Sequence, residues 1–203
     1  MKKNLLIACL AALCSTGAIA QDYDLTKLYL QNAGFDSRFD YTIDDTGNVE
    51  QEILDVDGWT KDISVNYTIT GVYQIGTKKT FNGASVPSTG QDGTTDGGVL
   101  ALSTGWNQSM LFYQTVELPE GKYSLVSAFY NSADNTAGRS RVEWLPNGQS
   151  AVTSSIESFP TGVWITDTIR FELTKSTKGR IQVGFHANAG QGRPILPNPA
   201  STS

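Results

Sequence analysis

The chain has only two cysteines among its 203 residues, and both lie within the first twenty positions. The same segment has two lysines after the first methionine, a short apolar run from Leu5 to Leu13 and an Ala-x-Ala motif at 18–20. This pattern is typical of a cleaved export signal, because the apolar run is too short to span a bilayer. We therefore expect residues 1–20 to be a signal peptide and the mature chain, starting at Gln21, to have neither thiols nor disulfides.

Positive charge is also scarce. Removing the two lysines of the leader from 15 basic residues leaves 13 against 20 acidic ones, a formal net charge of −7. The basic residues form no cluster beyond Lys78-Lys79 and the Lys175/Lys178 pair, which argues against nucleic acid or an anionic membrane as a partner. No long apolar run follows Leu13, so we expect no membrane insertion and a location in the periplasm, at the cell surface or outside the cell.

Signatures of catalysis are few. His186 is the single histidine, whereas zinc sites and catalytic triads combine a histidine with further ligands or a nucleophile. Aspartates are numerous between 36 and 62, but a glycosidase needs two carboxylates at a set separation, and none of these lies in a recognisable hydrolase motif. We expect the protein not to be an enzyme, and a glycoside hydrolase or lyase is the weakest functional hypothesis.

What the chain does have is period-two alternation. Between 110 and 118, apolar residues occupy every second position except 114, as a strand with one buried face requires. Residues 119–121 (PEG) have turn chemistry, and the alternation resumes over 123–129. Gln114 is the polar residue on the apolar side, so it needs hydrogen-bond partners if it is buried.

Further strands are expected along most of the chain. The same pattern predicts them at 49–54, 62–70, 72–75, 99–103, 141–145, 163–173 and 181–185. Helical periodicity is confined to Tyr23–Gln31, where a strand fits equally well. Short strands joined by turns rich in Gly, Asn and Pro predict an all-β fold, a β-sandwich or jelly roll. We expect one such domain over 21–187 and an irregular C-terminal tail, with three prolines, over 188–203.

Three motifs are spaced along this predicted domain. Leu30–Asp36 (LQNAGFD) is similar to an N-G-x-F-[ED] opening, and Gly58-Trp59 matches an early G-W pair. Tyr113–Leu125 (YQTVELPEGKYSL) is similar to the pattern Q-x-V-x-L-x-x-G-x-Y-x-L. Together they resemble galactose-binding-like jelly-roll domains, the carbohydrate-binding-module-like domains of secreted glycan-processing proteins, notably in Gram-negative bacteria. The resemblance covers about residues 28–187 and implies a jelly roll that binds carbohydrate.

The resemblance also bears on a metal. Members of this group end in a strand of the type F-[IV]-D-[ND]-V, whose aspartate helps to hold a structural calcium. Asp36 matches the N-terminal carboxylate of that calcium site, and it is the one metal ligand that the resemblance implies. The closing pattern is missing from Gly192–Pro197, which predicts an open sheet edge or an altered C-terminus.

Sugar ligands favour a particular set of side chains. Aromatic rings cover the apolar face of a pyranose, and Asn, Asp and Arg side chains bind its hydroxyl groups. Trp144 shares a strand face with Val142 and is expected in the core. The predicted ligand-binding residues are Trp59, Trp106, Trp164, Tyr130, Asn131, Asp134, Arg139 and Arg141. The simpler alternative is that the tryptophans belong to the core and that 130–135 is an ordinary polar turn.

Two functional hypotheses follow. The first is an exported, non-catalytic carbohydrate-binding β-sandwich whose partner is an oligo- or polysaccharide. The alternative is a structural or protein-interaction sandwich without a sugar site, which binds another exported protein through an open strand edge. Exposure of Trp59, Trp106 and Trp164 on one surface would favour the first hypothesis, and burial of these rings would favour the second.

Overall fold

In the computed structural model, the described residues are 23–36, 56–63, 68–76, 80–81, 84–95, 97–104, 108–131, 138–157, 160–187 and 194–197. Within them the chain forms two five-stranded antiparallel sheets that enclose a common core, together with a small two-stranded ribbon. The predicted all-β sandwich is therefore confirmed. The predicted signal peptide, the strand expected at 49–54 and the predicted site residues Trp106 and Asp134 lie outside the described residues.

The described residues form one short helix and twelve strands. They are α1 (Thr26–Tyr29), β1 (Thr60–Ile63), β2 (Thr68–Gln74), β3 (Thr80–Phe81), β4 (Ala84–Ser85), β5 (Gly98–Thr104), β6 (Gln108–Leu118), β7 (Gly121–Asn131), β8 (Gly138–Pro146), β9 (Val152–Ser154), β10 (Trp164–Leu173), β11 (Thr177–Ala187) and β12 (Pro194–Pro197). One sheet has the order β1-β6-β11-β8-β9 and the other β10-β7-β12-β5-β2. The single described helix has four residues, and none of the described helical segments could cross a membrane.

Strand β6 shows why the alternation was a reliable signal. Met110, Phe112, Val116 and Leu118 are buried in the core together with Gln114, while the alternate residues, Leu111, Tyr113, Thr115 and Glu117, face outward. The neighbours of β6 along the chain, however, lie in the other sheet, because β5 and β7 both pair with β12. The turn after Leu118 therefore crosses from one sheet to the other and does not close a hairpin.

Gln114 has the partners that its buried position requires. Its side-chain amide donates to the carbonyl oxygen of Gln31 at 2.6 Å, and its carbonyl oxygen accepts from the N–H of Gln31 at 2.9 Å. These two bonds satisfy a side chain that is only 8 % exposed. They also hold the N-terminal segment against β6, as a backbone pairing would.

The C-terminal tail differs from the expectation. Residues 188–203 were predicted to be irregular, and this was wrong at Pro194–Pro197, which forms β12 between β7 and β5. Prolines at both ends of a four-residue segment are typical of a loop, because proline has no N–H to donate to a neighbouring strand. Ile195 and Leu196 between them keep their N–H groups. The second sheet is thus continuous where the sequence predicted an open edge.

The strand expected over 62–70 also differs from the structure. Its first residues belong to β1 in one sheet and its last to β2 in the other. An unbroken alternating pattern was compatible with a single strand, and only the pairing partners show that the chain changes sheets here.

Candidate functional site

Trp59 does not offer a ring to a ligand. It is 9 % exposed, its ring centroid lies 5.4 Å from that of Phe35, and its Nε1–H donates to the carbonyl oxygen of Asn32 at 3.0 Å. Asn131 is also buried, at 5 % exposure. The burial of these two side chains gives no support to sugar contact at either position, which stays a prediction. Trp144, as expected, is a core residue.

Trp164 and Tyr130 form a pair on the outward face of β10 and β7. Their ring centroids are 5.0 Å apart, and both side chains are half-buried. The indole Nε1–H of Trp164 donates to the carbonyl oxygen of Thr89 at 2.9 Å, so the pair anchors the segment 86–95 on this sheet. Trp164 and Trp59 therefore do not share a surface, and their use as a joint sugar platform is not supported.

Arg139 and Arg141 lie on the outward side of the other sheet. There the register of β6, β11, β8 and β9 aligns side chains in cross-strand rows, which we call the polar face. Its rows are Ser109–His186–Arg139, Leu111–Gly184–Arg141, Tyr113–Gln182–Glu143–Thr153 and Thr115–Arg180–Leu145. Neighbouring strands in a sheet are about 4.8 Å apart and successive rows about 7 Å apart, so these side chains form one continuous surface.

Glu143 is at the centre of the polar face. Its carboxylate accepts hydrogen bonds from Arg141 (Nη2 at 2.7 Å and Nε at 3.2 Å) and from the hydroxyl of Thr153 at 2.7 Å. The side-chain amide of Gln182 donates to its other oxygen at 2.6 Å. These contacts cover Glu143, which is 3 % exposed although it lies on the outer side of the sheet. The carboxylate thus orients Arg141 and Gln182, and a dense network of this kind holds its members in fixed positions.

Arg180 and Tyr113 form a second contact on the same face. The guanidinium carbon of Arg180 lies 4.3 Å from the centroid of the Tyr113 ring, within the range of a cation–π interaction. Both side chains are half-buried. The sequence did not single out Arg180 or Gln182, because polar residues that alternate with apolar ones along a strand usually face only solvent.

A gap interrupts the polar face at Gly184. A Cβ atom at this position would lie 2.0 Å from the carbonyl oxygen of Met110 and 2.9 Å from the Cα of Leu111, so only glycine fits. Its row therefore has no side chain between Leu111 and Arg141. Gly184 is buried, because the Cδ2 atom of Leu111 and the backbone of β6 occupy the space where its Cβ would lie.

His186 lies at one end of the face. Its Nδ1 is 2.7 Å from the hydroxyl oxygen of Ser109. Partial burial lowers the pKa of His186 below its usual 6.5, and the charges of Arg139 and Arg141 lower it further. The imidazole is therefore neutral at neutral pH, so that it can both donate and accept hydrogen bonds.

This lowered pKa predicts a pH dependence of stability. The unfolded chain binds a proton at the only histidine below its usual pKa of 6.5, whereas the folded protein resists it, so stability falls as the pH drops through the interval just below 6.5. We expect the thermal midpoint to fall between pH about 7 and pH about 5. The hydrogen bonds that lower the pKa values of Asp24 and Asp92 act below 3.8, outside this interval.

The matched control for that experiment is His186→Gln, which cannot titrate. Thermal unfolding of both proteins across the same buffers should show a smaller decrease for the variant. Parallel decreases in the two proteins would mean that another group causes the effect.

Metal binding is not evident at Asp36. Its side chain is exposed and its backbone N–H donates to the side-chain oxygen of Asn32 at 2.8 Å. Across the described part of the chain, no three His, Cys, Asp or Glu residues are grouped closely enough to hold a metal ion. A structural calcium at Asp36 stays a prediction.

Comparison with known proteins gives the fold a context. No family model and no curated protein matches the chain. Among solved structures it is similar to TmCBM61 in complex with β-1,4-galactotriose, with a TM-score of 0.52 and 15 % identity over 84 % of this chain and 94 % of that chain. At this identity the similarity shows a shared fold, the β-sandwich of a carbohydrate-binding module.

Two further solved structures are more distant. A family 11 carbohydrate-binding module from Clostridium thermocellum, in complex with a β-1,3-1,4-mixed-linked tetrasaccharide, has a TM-score of 0.40 at 15 % identity, over 71 % of this chain and 88 % of that chain. An exo-β-agarase has a TM-score of 0.46 at 10 % identity, over 82 % of this chain but only 25 % of the enzyme.

Proposed function

We propose that the protein is an exported, non-catalytic β-sandwich that binds oligo- or polysaccharides on its polar face. The observation that carries this proposal is the fixed array around the buried carboxylate of Glu143, which holds the accessible side chains of Arg141 and Thr153 and is itself held from below by the buried amide of Gln182. Vicinal hydroxyl groups of a sugar need donors and acceptors in such a fixed arrangement. The half-buried side chains of Leu111 and Tyr113 supply apolar contact area beside them.

The expected affinity is modest. A hydrogen bond to a charged group contributes about 1.5–3 kcal/mol, and a few such contacts must also offset the entropy lost on association. A net binding free energy of about −4 to −6 kcal/mol corresponds to dissociation constants from about a millimolar down to tens of micromolar.

The shared fold supports this ligand class. TmCBM61 is seen with β-1,4-galactotriose, so β-1,4-galactan is the first neutral glycan to test. The positions of two buried carboxylates support a non-catalytic role. Glu143 accepts bonds from three side chains, and Asp167 lies between the sheets, where it accepts a hydrogen bond from Ser140 at 3.0 Å.

The alternative, docking to another exported protein, loses its original motivation. That hypothesis rested on an open edge at the C-terminus, and β12 lies between two strands of its sheet. Docking to another protein would need a different strand edge, so we retain carbohydrate binding as the proposed function.

Affinity electrophoresis and titration calorimetry against a panel of glycans test the proposal. We expect at least one glycan to bind at millimolar concentration or below, and Tyr113→Ala to weaken that binding about tenfold or more, since the aromatic ring that covers an apolar sugar face is lost. Arg170→Ala is the control, because Arg170 is exposed on the opposite sheet. Absence of binding to every glycan, or equal weakening by both variants, would contradict the proposal.

A further inference from the structure

Charges on the polar face are mostly neutralised by neighbours. Arg141 forms an ion pair with Glu143 at 2.7 Å, and Arg139 lies 3.5 Å from Glu157. Lys178 is directly opposite Glu117 in the β11–β6 register. The two ion pairs offset the positive charges of Arg139 and Arg141.

Arg180 is different. Among the described residues Arg180 forms no ion pair, and its guanidinium group contacts the ring of Tyr113. Its cross-strand neighbours, Thr115 and Leu145, carry no charge. The carboxylate of Glu143 is not free to serve as its counter-ion, because its two oxygens already accept hydrogen bonds from other side chains.

The geometry of Arg180 suits an anionic group. The guanidinium group lies over the Tyr113 ring at 4.3 Å, and this contact restrains the Arg180 side chain without using its N–H donors, which lie at the edge of the planar group. That edge matches two oxygens of a carboxylate or a sulfate as a bidentate pair, whereas a neutral hydroxyl uses only one donor. Partial burial strengthens such a pair relative to one in bulk water.

We infer that the polar face takes acidic glycans, and that Arg180 binds a carboxylate or sulfate group of the sugar. This inference rests on the proposed function and adds the chemical class of the ligand. A cation that forms no ion pair among the described residues, on a chain of formal net charge −5, also acts against the general repulsion of anions, so it selects the position at which an acidic sugar binds.

Three glycans test the inference in calorimetric titrations at one fixed ionic strength. Polygalacturonate supplies carboxylates, a sulfated galactan supplies sulfates, and β-1,4-galactan is the neutral comparison. We expect at least one acidic glycan to bind about tenfold or more tightly than the neutral one. The stronger of the two acidic ligands identifies the anionic group.

The variants Arg180→Gln and Arg180→Lys separate charge from shape. Arg180→Gln should weaken binding of the acidic glycan about tenfold to a hundredfold and change neutral binding less than about threefold. Arg180→Lys should recover part of that loss, because it keeps the charge without the planar fork. Arg170→Gln on the opposite sheet is the matched control, and thermal midpoints verify that every variant is folded.

The outcomes separate the inference of an acidic ligand from the proposal of carbohydrate binding on which it rests. Equal binding of neutral and acidic glycans, or equal weakening of both by Arg180→Gln, overturns the acidic specificity and leaves carbohydrate binding intact. If Arg170→Gln weakens binding of the acidic glycan as much as Arg180→Gln does, the preference for acidic glycans comes from the overall charge of the protein. That result also overturns the acidic specificity assigned to Arg180. Absence of binding to all three glycans and to the wider panel overturns both.

Discussion

A chain that ends at Arg193 should be less stable than the full chain by about 3–5 kcal/mol in free energy of unfolding. Such a chain lacks β12, which pairs with β5 on one side and with β7 on the other. Its loss removes several backbone hydrogen bonds of about 0.5–1.5 kcal/mol each and separates two strands in the middle of a sheet. Since small domains are stable by only about 5–15 kcal/mol, urea unfolding should show a large shift in midpoint.

A second truncation provides the control. A chain that ends at Pro199 loses Ala200–Ser203 and keeps β12, so its unfolding midpoint should match that of the full chain. Leu196→Pro tests the pairing within an intact chain, because it removes one N–H from the short strand. Equal stability of the two truncated chains would contradict a central position for β12.

The fold was predictable where the signal is local. Alternation along β6 and β11 reports which residues face the core, and the structure buries Phe112, Ile181 and Val183 as expected. Pairing is not a local property. Nothing in the alternation of 98–131 shows that β5 and β7 lie in one sheet and β6 in the other, since each strand satisfies the same pattern with either partner.

The same distinction explains the site. Arg139 and Arg141, predicted as ligand-binding residues, lie on the outward side of their sheet, and their role stays a prediction. Glu143 and Gln182 are 39 positions apart and meet only through the register of β8 and β11. Trp59 was predicted as a ligand-binding residue, with a place in the core as the simpler alternative. Its burial depends on the segment that includes Phe35, which a reading of its own neighbourhood does not reveal.

Replacing Glu143 by alanine should lower the free energy of unfolding by about 2–4 kcal/mol and abolish glycan binding. The substitution leaves the cation of Arg141 without its partner, and it leaves the 4 % exposed side chain of Gln182 without the acceptor at 2.6 Å. Unpaired buried polar groups cost about 1–3 kcal/mol each, and a broken ion pair with one buried member adds to this. Urea unfolding measures the first effect and titration calorimetry the second.

Two further variants show whether the carboxylate itself is responsible. Glu143→Gln keeps the shape but turns an NH2 group toward neighbours that also donate, so it should lose part of the stability and most of the binding. Glu117→Ala removes an exposed carboxylate from the same sheet and should change stability by less than about 0.5 kcal/mol. If Glu143→Ala were as stable as Glu117→Ala, the network would not hold the face together. If Glu143→Ala kept full affinity for glycans, Arg141 and Thr153 would not be the groups that the sugar contacts.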